Sequence, residues 1–174
     1  MRKGLIGCLA AVSTACLAHA AFQAWMESRT KSLSNLKMTG LAMLMYMSDN
    51  DDLSPRAHET TSVFAVLYPY AKNVGIFKSE NPGGHFLLNE AVAGVVASQI
   101  PDPTHAIMFY EDKAWPDGSR LATFCDGRAQ ALTANDWKKV EKSLHLKLKH
   151  TAGYLPKGYW KSFHVKGLPG SEGG

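Results

Sequence analysis

Residues 34–55, SNLKMTGLAMLMYMSDNDDLSP, decide the fold of this 174-residue chain. Apolar residues recur in and beside this stretch at spacings of three and four, which places them on one face of a helix. These residues are Leu33, Leu36, Gly40, Leu41, Leu44 and Met47. The pattern predicts a helix over residues 27–49 that ends in the polar run 48–52, with Pro55 preventing its continuation.

The same helix has a second apolar row, made of Met38, Ala42 and Met45. Segment 41–47 is therefore apolar nearly all round, and such a helix must be covered on more than one side. We expect Leu36, Leu41 and Leu44 to be mostly buried against the sheet that the following segments predict.

A small sheet is predicted after this helix. Residues 61–73 first form a short second helix capped near Thr61 or Ser62, unless Pro69 turns the 68–70 segment into a kink. Five strand candidates follow, separated by proline and glycine signals. They are residues 85–88, 94–99, 105–111, 120–125 and 128–132.

The pair Asp126-Gly127 indicates a tight hairpin turn between the last two strands, and a turn of type I′ there requires a positive φ at Gly127. A last helix is predicted over residues 136–146, beginning after Thr133 or Asn135. A hydrophobic N-terminal helix packed on a small antiparallel sheet, with a short C-terminal helix and a tail, makes an α+β domain.

The N-terminus predicts export from the cytoplasm. Two basic residues precede an uncharged run of 23 residues, 4–26. Segment 1–26 is either a secretory signal cleaved between Ala20 and Ala21 or a retained helix that spans the membrane. Both interpretations place the α+β domain, residues 27–146, outside the cytoplasm, either anchored to the inner membrane or released as a periplasmic or secreted protein.

The composition fits a globular protein and does not indicate a nucleic-acid partner. Hydrophobic residues make up 45% of the chain and charged residues 20%, which excludes a wholly disordered chain. Residues 145–174 contain five lysines and one acid, Glu172, and five minus one equals the whole net charge of +4. We expect this basic, flexible tail, residues 147–174, to be extended or partly disordered.

No strong catalytic motif occurs, so the sequence predicts neither an enzyme nor a resident cofactor. Glu111, Asp112 and Asp117 are candidate calcium ligands, because carboxylate oxygens that lie close together can hold this cation. The alternative is a solvated turn with nothing bound. Cys125 is the one cysteine outside the export segment, and we interpret it as a small packing residue rather than a nucleophile.

Four strings occur in a fixed order: SNLKMTGLAMLMYMSDNDDLSP at 34–55, LYPYAKNVGIF at 67–77, MFYED at 108–112 and FCDGRAQAL at 124–132. Together they resemble the prepilin-like family, which is related to the type II secretion pseudopilins. The resemblance covers roughly residues 28–146 and implies a pilin-like spine helix on a small sheet. It also implies a non-enzymatic envelope protein whose partners are other pilin-like subunits or envelope proteins, with membrane contact through residues 4–26.

The start of the chain departs from the family pattern and leads to a second hypothesis. Family members have a leader that ends in glycine, followed by phenylalanine, with glutamate as the fifth mature residue. Here the leader would end at Gly4 and the mature chain would start at Leu5, so that Leu9 occupies the fifth position. That difference favours a secreted ligand- or calcium-binding domain that keeps the fold without assembling.

Overall fold

The computed structural model describes the backbone of residues 3–56 and 60–150, and the side chains of residues 19–56 and 63–150. In this part of the chain, three α-helices and a four-stranded antiparallel sheet form the predicted α+β architecture. The predictions for the tail beyond residue 150 lie outside the described residues.

Helix α1 spans Lys3–Asp49 and ends in the predicted polar run. The main-chain N–H groups of Asn50 and Asp52 both donate to the Met47 carbonyl, at 3.0 and 2.9 Å. Asp51 and Asp52 have φ angles of 53° and 57°, a left-handed conformation that aspartate adopts more readily than most residues. Two consecutive left-handed residues turn the chain away from the helix axis, so the helix stops there.

The sheet is an antiparallel meander in which each strand pairs with the next one along the chain. Its strands are β1 (Phe86–Leu88), β2 (Ile107–Glu111), β3 (Arg120–Phe124) and β4 (Ala129–Leu132), which confirms four of the five candidates. The prediction of a strand at 94–99 is wrong. Val95 N–H donates to Ser54 Oγ at 3.0 Å, and Ser54 N–H donates to the Val95 carbonyl at 3.1 Å. This segment therefore pairs with the chain that follows α1 rather than with the sheet.

Helix α2 spans Thr60–Ala71 and continues through Pro69, so the alternative of a kinked turn at 68–70 is wrong. The Lys72 N–H still donates to the Tyr68 carbonyl at 2.7 Å. The last turn of α2 closes after the proline, whose ring lies on the exposed side of the helix.

Helix α3 spans Ala134–Val140 and continues as a 3₁₀ turn, Glu141–His145. The Asp136 N–H donates to Thr133 Oγ1 at 3.2 Å. Thr133 is therefore the N-cap, which decides between the two predicted starts of the last helix.

Aromatic and aliphatic side chains fill both sides of the sheet. Phe64 of α2 stacks on Phe77 at 4.8 Å and lies 6.0 Å from the ring of Phe109 in β2. On the opposite face, Val140 of α3 joins a cluster with Phe124 of β3. The sheet is thus a middle layer between α1 and α2 on one side and α3 on the other.

One face of α1 packs on the sheet, and it is rotated from the predicted face. Gly40 allows a close approach, because a Cβ atom there would lie 3.1 Å from Thr123 Cγ2 of β3. Leu36 is fully buried, as predicted, and Leu44 is partly buried, but the prediction for Leu41 is wrong because its side chain is 47% exposed. Since the helix turns about 100° per residue, contact at Gly40 directs residue 41 away from the sheet. The buried residues of α1 within its described side chains are Ser32, Leu36, Thr39, Gly40, Ala42, Met43 and Met47.

A hairpin turn joins β3 and β4, and the pair Phe124 and Arg128 closes its three-residue loop, 125–127. Gly127 N–H donates to the Phe124 carbonyl at 2.9 Å, and Phe124 N–H donates to the Arg128 carbonyl at 2.8 Å. Gly127 has a φ of 85°, whereas Asp126 is outside the left-handed region. The hairpin and the positive φ of Gly127 are confirmed, but type I′ is wrong because it needs positive φ at two residues. The geometry is that of a type I turn followed by a left-handed glycine bulge.

Replacing Gly127 with alanine is expected to lower the free energy of unfolding by about 1–2 kcal/mol, the cost of a left-handed non-glycine residue, plus the cost of a contact. The new Cβ would lie 2.7 Å from Leu44 Cδ1 of α1. Gly118→Ala is the matched control, since Gly118 has a φ of 79° and no atom within 4 Å of the new Cβ. Thermal melts of both variants should show the larger loss for Gly127→Ala. Equal losses would mean that Leu44 moves aside without cost.

Candidate functional site

The predicted calcium ligands lie at the end of β2 and in the segment that follows it, residues 111–119, which we name the acidic turn. Glu111 is fully buried. Ser79 Oγ donates to one of its carboxyl oxygens, and the Trp115 indole N–H donates to the other. The nearby cation, Arg120, donates instead to the main-chain carbonyls of Glu111 and Asp112. Both carboxyl oxygens of Glu111 therefore face neutral protein donors.

Burial has the largest effect on the Glu111 carboxyl and raises its pKa above the ordinary value of 4.5. A carboxylate loses its hydration when it is buried, so the neutral acid is favoured. The hydrogen bonds from Ser79 and Trp115 stabilise the charged form and oppose this effect without cancelling it. The acidic turn thus contains one buried acid that holds its proton more tightly than an exposed glutamate.

The other two candidate ligands also have protein donors. Asp112 accepts from the His85 N–H at 2.7 Å, and its second oxygen lies 3.3 Å from His85 Nδ1. Asp117 accepts from the N–H and hydroxyl of Ser119 at 3.0 and 2.6 Å, and Arg29 Nη2 lies 3.7 Å away. Although burial acts in the opposite direction, the Ser119 hydrogen bonds and the Arg29 charge hold the pKa of Asp117 below its usual range.

Each of the three carboxyl groups is therefore held by its own set of neighbours. Within residues 3–56 and 60–150, no group of three or more His, Cys, Asp or Glu residues is placed to hold a metal ion. Calcium binding by Glu111, Asp112 and Asp117 stays a prediction.

An aromatic groove that the sequence reasoning missed lies beside the acidic turn. It has a volume of about 430 Å³ and is lined by Phe22 and Trp25 of α1 and by Pro116 and Asp117. The Trp25 ring lies 6.4 Å from the Trp115 ring in an edge-on arrangement. The aromatic pair Phe22 and Trp25 was visible in the sequence, but it lies in the run assigned to export or anchoring. The contact of this pair with a turn 90 residues further along the chain could not be predicted from the local sequence pattern.

A row of apolar side chains on α1 is only half covered by the described residues. Met38, Leu41 and Met45 are each 47% exposed, and their spacing of three and four places them on one line along the helix. We name these three residues the α1 stripe. They lie opposite the face that packs on the sheet, and they belong to the segment whose apolar character predicted cover on more than one side. Among the described residues, the sheet, α2 and the 74–77 turn all pack on α1, and the three stripe residues lie outside that cover.

Both pairs of predicted processing positions lie within the unbroken backbone of α1. Ala20 and Ala21 are exposed there, whereas the surroundings of the Gly4 and Leu5 side chains lie outside the description. None of the helices in the described part of the chain combines the length and the apolar character needed to cross a membrane.

Cys125 is partly buried in the β3–β4 loop and packs against two hydrophobic clusters. Burial, with a smaller contribution from the charge of Asp126, raises the pKa of its thiol to about 12. A thiol with that pKa is protonated at neutral pH and is a poor nucleophile. This agrees with the interpretation of Cys125 as a packing residue.

Comparison with family models, curated proteins and solved structures found no match to this chain. Function must therefore be argued from the surfaces themselves. The carboxyl groups of the acidic turn already have protein donors, whereas the α1 stripe leaves three large apolar side chains half in water. The exposed large apolar side chains of the described residues are the three of the stripe and Phe22, which is 53% exposed in the aromatic groove.

Proposed function

We propose that this chain is a non-enzymatic, pilin-like envelope protein that acts through protein–protein contacts in or beside a type II secretion or type IV pilus-like machine. Helix α1 is its spine. The sheet holds one face of the spine, and the opposite face meets neighbouring pilin-like subunits or envelope proteins. The order of one long helix, a small antiparallel sheet and a short last helix supports the resemblance from which this proposal starts.

The α1 stripe is the observation that carries the proposal. Single exposed apolar residues are common on soluble proteins, but a contiguous apolar row marks an interaction surface. Residues at positions i, i+3 and i+7 form the ridge that enters the groove of a second helix. Two of the three stripe residues are methionines, whose flexible side chains adapt to different partner surfaces.

The buried face explains why the stripe is free to meet a partner. Close contact between Gly40 and Thr123 fixes the rotation of α1 on the sheet, which leaves Leu41 at the centre of the outward face. A partner helix can then approach along the whole stripe, a length of about 10 Å between residues 38 and 45.

Photo-cross-linking from position 41 tests the proposal. A photoreactive phenylalanine analogue replaces Leu41 in the full chain, which is expressed in a bacterium that carries a type II secretion machine. Intermolecular products are expected, with linked peptides from a second copy or from another pilin-like chain. The matched control places the same analogue at Gln130, which is exposed on β4 and should give none. Equal background yields from both positions would contradict the proposal.

A further inference from the structure

We propose that the α1 stripe of one copy of this chain docks in the aromatic groove of a second copy. This inference rests on the proposed function and names the partner that the stripe meets. It starts from the four exposed large apolar side chains of the described residues. Three of them form a ridge, the stripe, and the fourth, Phe22, lines a concave surface, the groove.

The stripe and the groove lie on opposite sides of α1. Trp25 and Leu41 are 16 positions apart, which corresponds to a rise of about 24 Å along the helix and a rotation of about 160° around it. Trp25 lies on the sheet side, where its ring is 6.4 Å from that of Trp115. The stripe of one molecule therefore cannot reach its own groove, and a stripe that fills the groove belongs to a second molecule.

The wall of the groove is already formed in the single chain. The Phe22 and Trp25 rings lie 5.4 Å apart, and the Arg29 guanidinium lies 5.8 Å from the centre of the Trp25 ring. The neighbouring Trp115 is buried, and its indole N–H donates to Glu111. A partner side chain thus meets rings that are already positioned, so that docking orders few additional side chains.

The side chains of the stripe are chemically suited to this wall. Met38 and Met45 lie on either side of Leu41 along the helix, and all three side chains are 47% exposed. Methionine thioethers make favourable contacts with aromatic rings, and their unbranched side chains fill irregular gaps. Docking in a groove of about 430 Å³ removes apolar surface from water on both copies, which is the main driving force of most protein associations.

The charges beside the two surfaces are also complementary. Lys37 is exposed next to Met38, and the Asp117 side chain, which lines the groove, is 41% exposed. Although burial raises the pKa of Asp117, the Ser119 hydrogen bonds and the Arg29 charge lower it below its usual range, so this carboxylate is charged at neutral pH. Arg29 lies 3.7 Å from one carboxylate oxygen, and a carboxylate can accept from several donors. Lys37 of one copy can therefore pair with Asp117 of the next.

A contact of this kind can be repeated. Because the stripe and the groove are different surfaces on opposite sides of α1, two joined copies still carry one free stripe and one free groove. Such a heterologous contact adds further copies, in an open row or a closed ring, and does not give a symmetric dimer.

Cross-linking between two distinguishable forms of the full chain tests the contact. The photoreactive phenylalanine analogue replaces Leu41 in one purified form, which is mixed with a form that carries a heavy-isotope label. Linked peptides of the labelled form should come from residues 19–29 and 113–119. Phe22→Ser in the labelled form should lower their yield several-fold, because it removes one wall of the groove. The same substitution in the photoreactive form should leave the yield unchanged, and equal losses in both cases would overturn the proposal.

A charge reversal on the stripe side gives an independent variant. Lys37→Glu in the photoreactive form should also lower the yield several-fold, whereas the matched control Lys138→Glu, at an exposed position of α3, should leave it unchanged. Linked peptides from residues 38–45 of the labelled form would show pairing of two stripes, which overturns the groove proposal and supports the proposed function. A mixture without intermolecular links would also overturn the groove proposal. The proposed function fails as well only if the bacterium with a type II secretion machine gives no links from position 41.

Discussion

Leu36→Ala is expected to lower the free energy of unfolding by about 2–5 kcal/mol, whereas Leu41→Ala should change it by less than about 1 kcal/mol. Both residues are leucines on the same helix. Leu36 is fully buried in the main core, but Leu41 is 47% exposed. Truncating Leu36 removes buried methyl groups and leaves a cavity, while truncating Leu41 removes groups that already contact water.

Urea unfolding of the full chain, followed by far-ultraviolet circular dichroism, measures both changes. Equal slopes of the unfolding free energy against urea for the two variants are needed for the comparison. Similar losses from Leu36→Ala and Leu41→Ala would mean that α1 is rotated relative to the sheet. A rotation of that kind would also bury the stripe and remove the basis of the proposed function.

The existence and the end of α1 could be predicted from the sequence, but the face that it buries could not. Apolar residues cover nearly every side of segment 41–47, so periodicity alone does not distinguish Leu36 from Leu41. The decisive contact is between Gly40 and Thr123, two residues 83 positions apart. Glycine is counted as a weak apolar residue in a pattern, yet here its missing side chain determines where the sheet approaches.

The strand error has a similar cause. Residues 94–99 are apolar and lie between turn signals, which is typical of a strand. Val95 and Ser54 instead exchange hydrogen bonds at 3.0 and 3.1 Å. The partner is the chain after α1, 41 residues earlier, and a local pattern does not identify a partner.

A cluster of acidic residues in a sequence does not show whether their carboxyl groups share one ligand in the fold. Glu111, Asp112 and Asp117 are close along the chain, which suggested one shared ligand. The structure gives them different neighbours, because Ser79, His85 and Arg29 come from three other segments. Alternation along β2 explains part of the difference, since Glu111 faces the α1 side of the sheet and its successor begins the turn.

The second large effect is expected at Glu111, through pH. Burial raises the pKa of this carboxyl in the folded chain above its ordinary value of 4.5, so the folded state binds the proton more tightly than the unfolded state. Its contribution to stability is complete below the unfolded pKa and is lost as the pH rises through the folded pKa. Wild type should therefore lose stability, relative to Glu111→Gln, as the pH rises above about 4.5.

Glutamine is the appropriate neutral replacement for this site. Its amide can donate to Ser79 Oγ, and its carbonyl oxygen can accept from the Trp115 indole N–H, so both existing hydrogen bonds find partners. Glu111→Ala leaves that indole N–H and the Ser79 hydroxyl without an acceptor. Its unfolding free energy should fall by about 1–3 kcal/mol throughout the pH range, the usual cost of buried groups left unpaired.

Melting temperatures of wild type and Glu111→Gln, measured at half-unit steps from pH 4 to pH 8, give the comparison. The difference between the two proteins isolates Glu111, because the carboxyl groups with lowered pKa, Asp102, Asp117 and Asp136, are present in both. Those three groups contribute stability that is lost as the pH falls, at lower pH than the effect of Glu111 and in the opposite direction. A difference that stays constant with pH would show that Glu111 titrates like an exposed glutamate.

The same pair of proteins bears on the calcium prediction. The Glu111 carboxyl accepts from Ser79 and Trp115, so it must give up these contacts, together with any proton that it holds, before it can bind a cation. If Glu111 contributes to a calcium site, millimolar calcium should raise the melting temperature of wild type at pH 7 by several degrees and leave Glu111→Gln unchanged. If calcium changes neither protein, the acidic turn is a structural element. Glu111 then links the end of β2 to Ser79 and Trp115 by hydrogen bonds, on the side of the sheet that packs against α1.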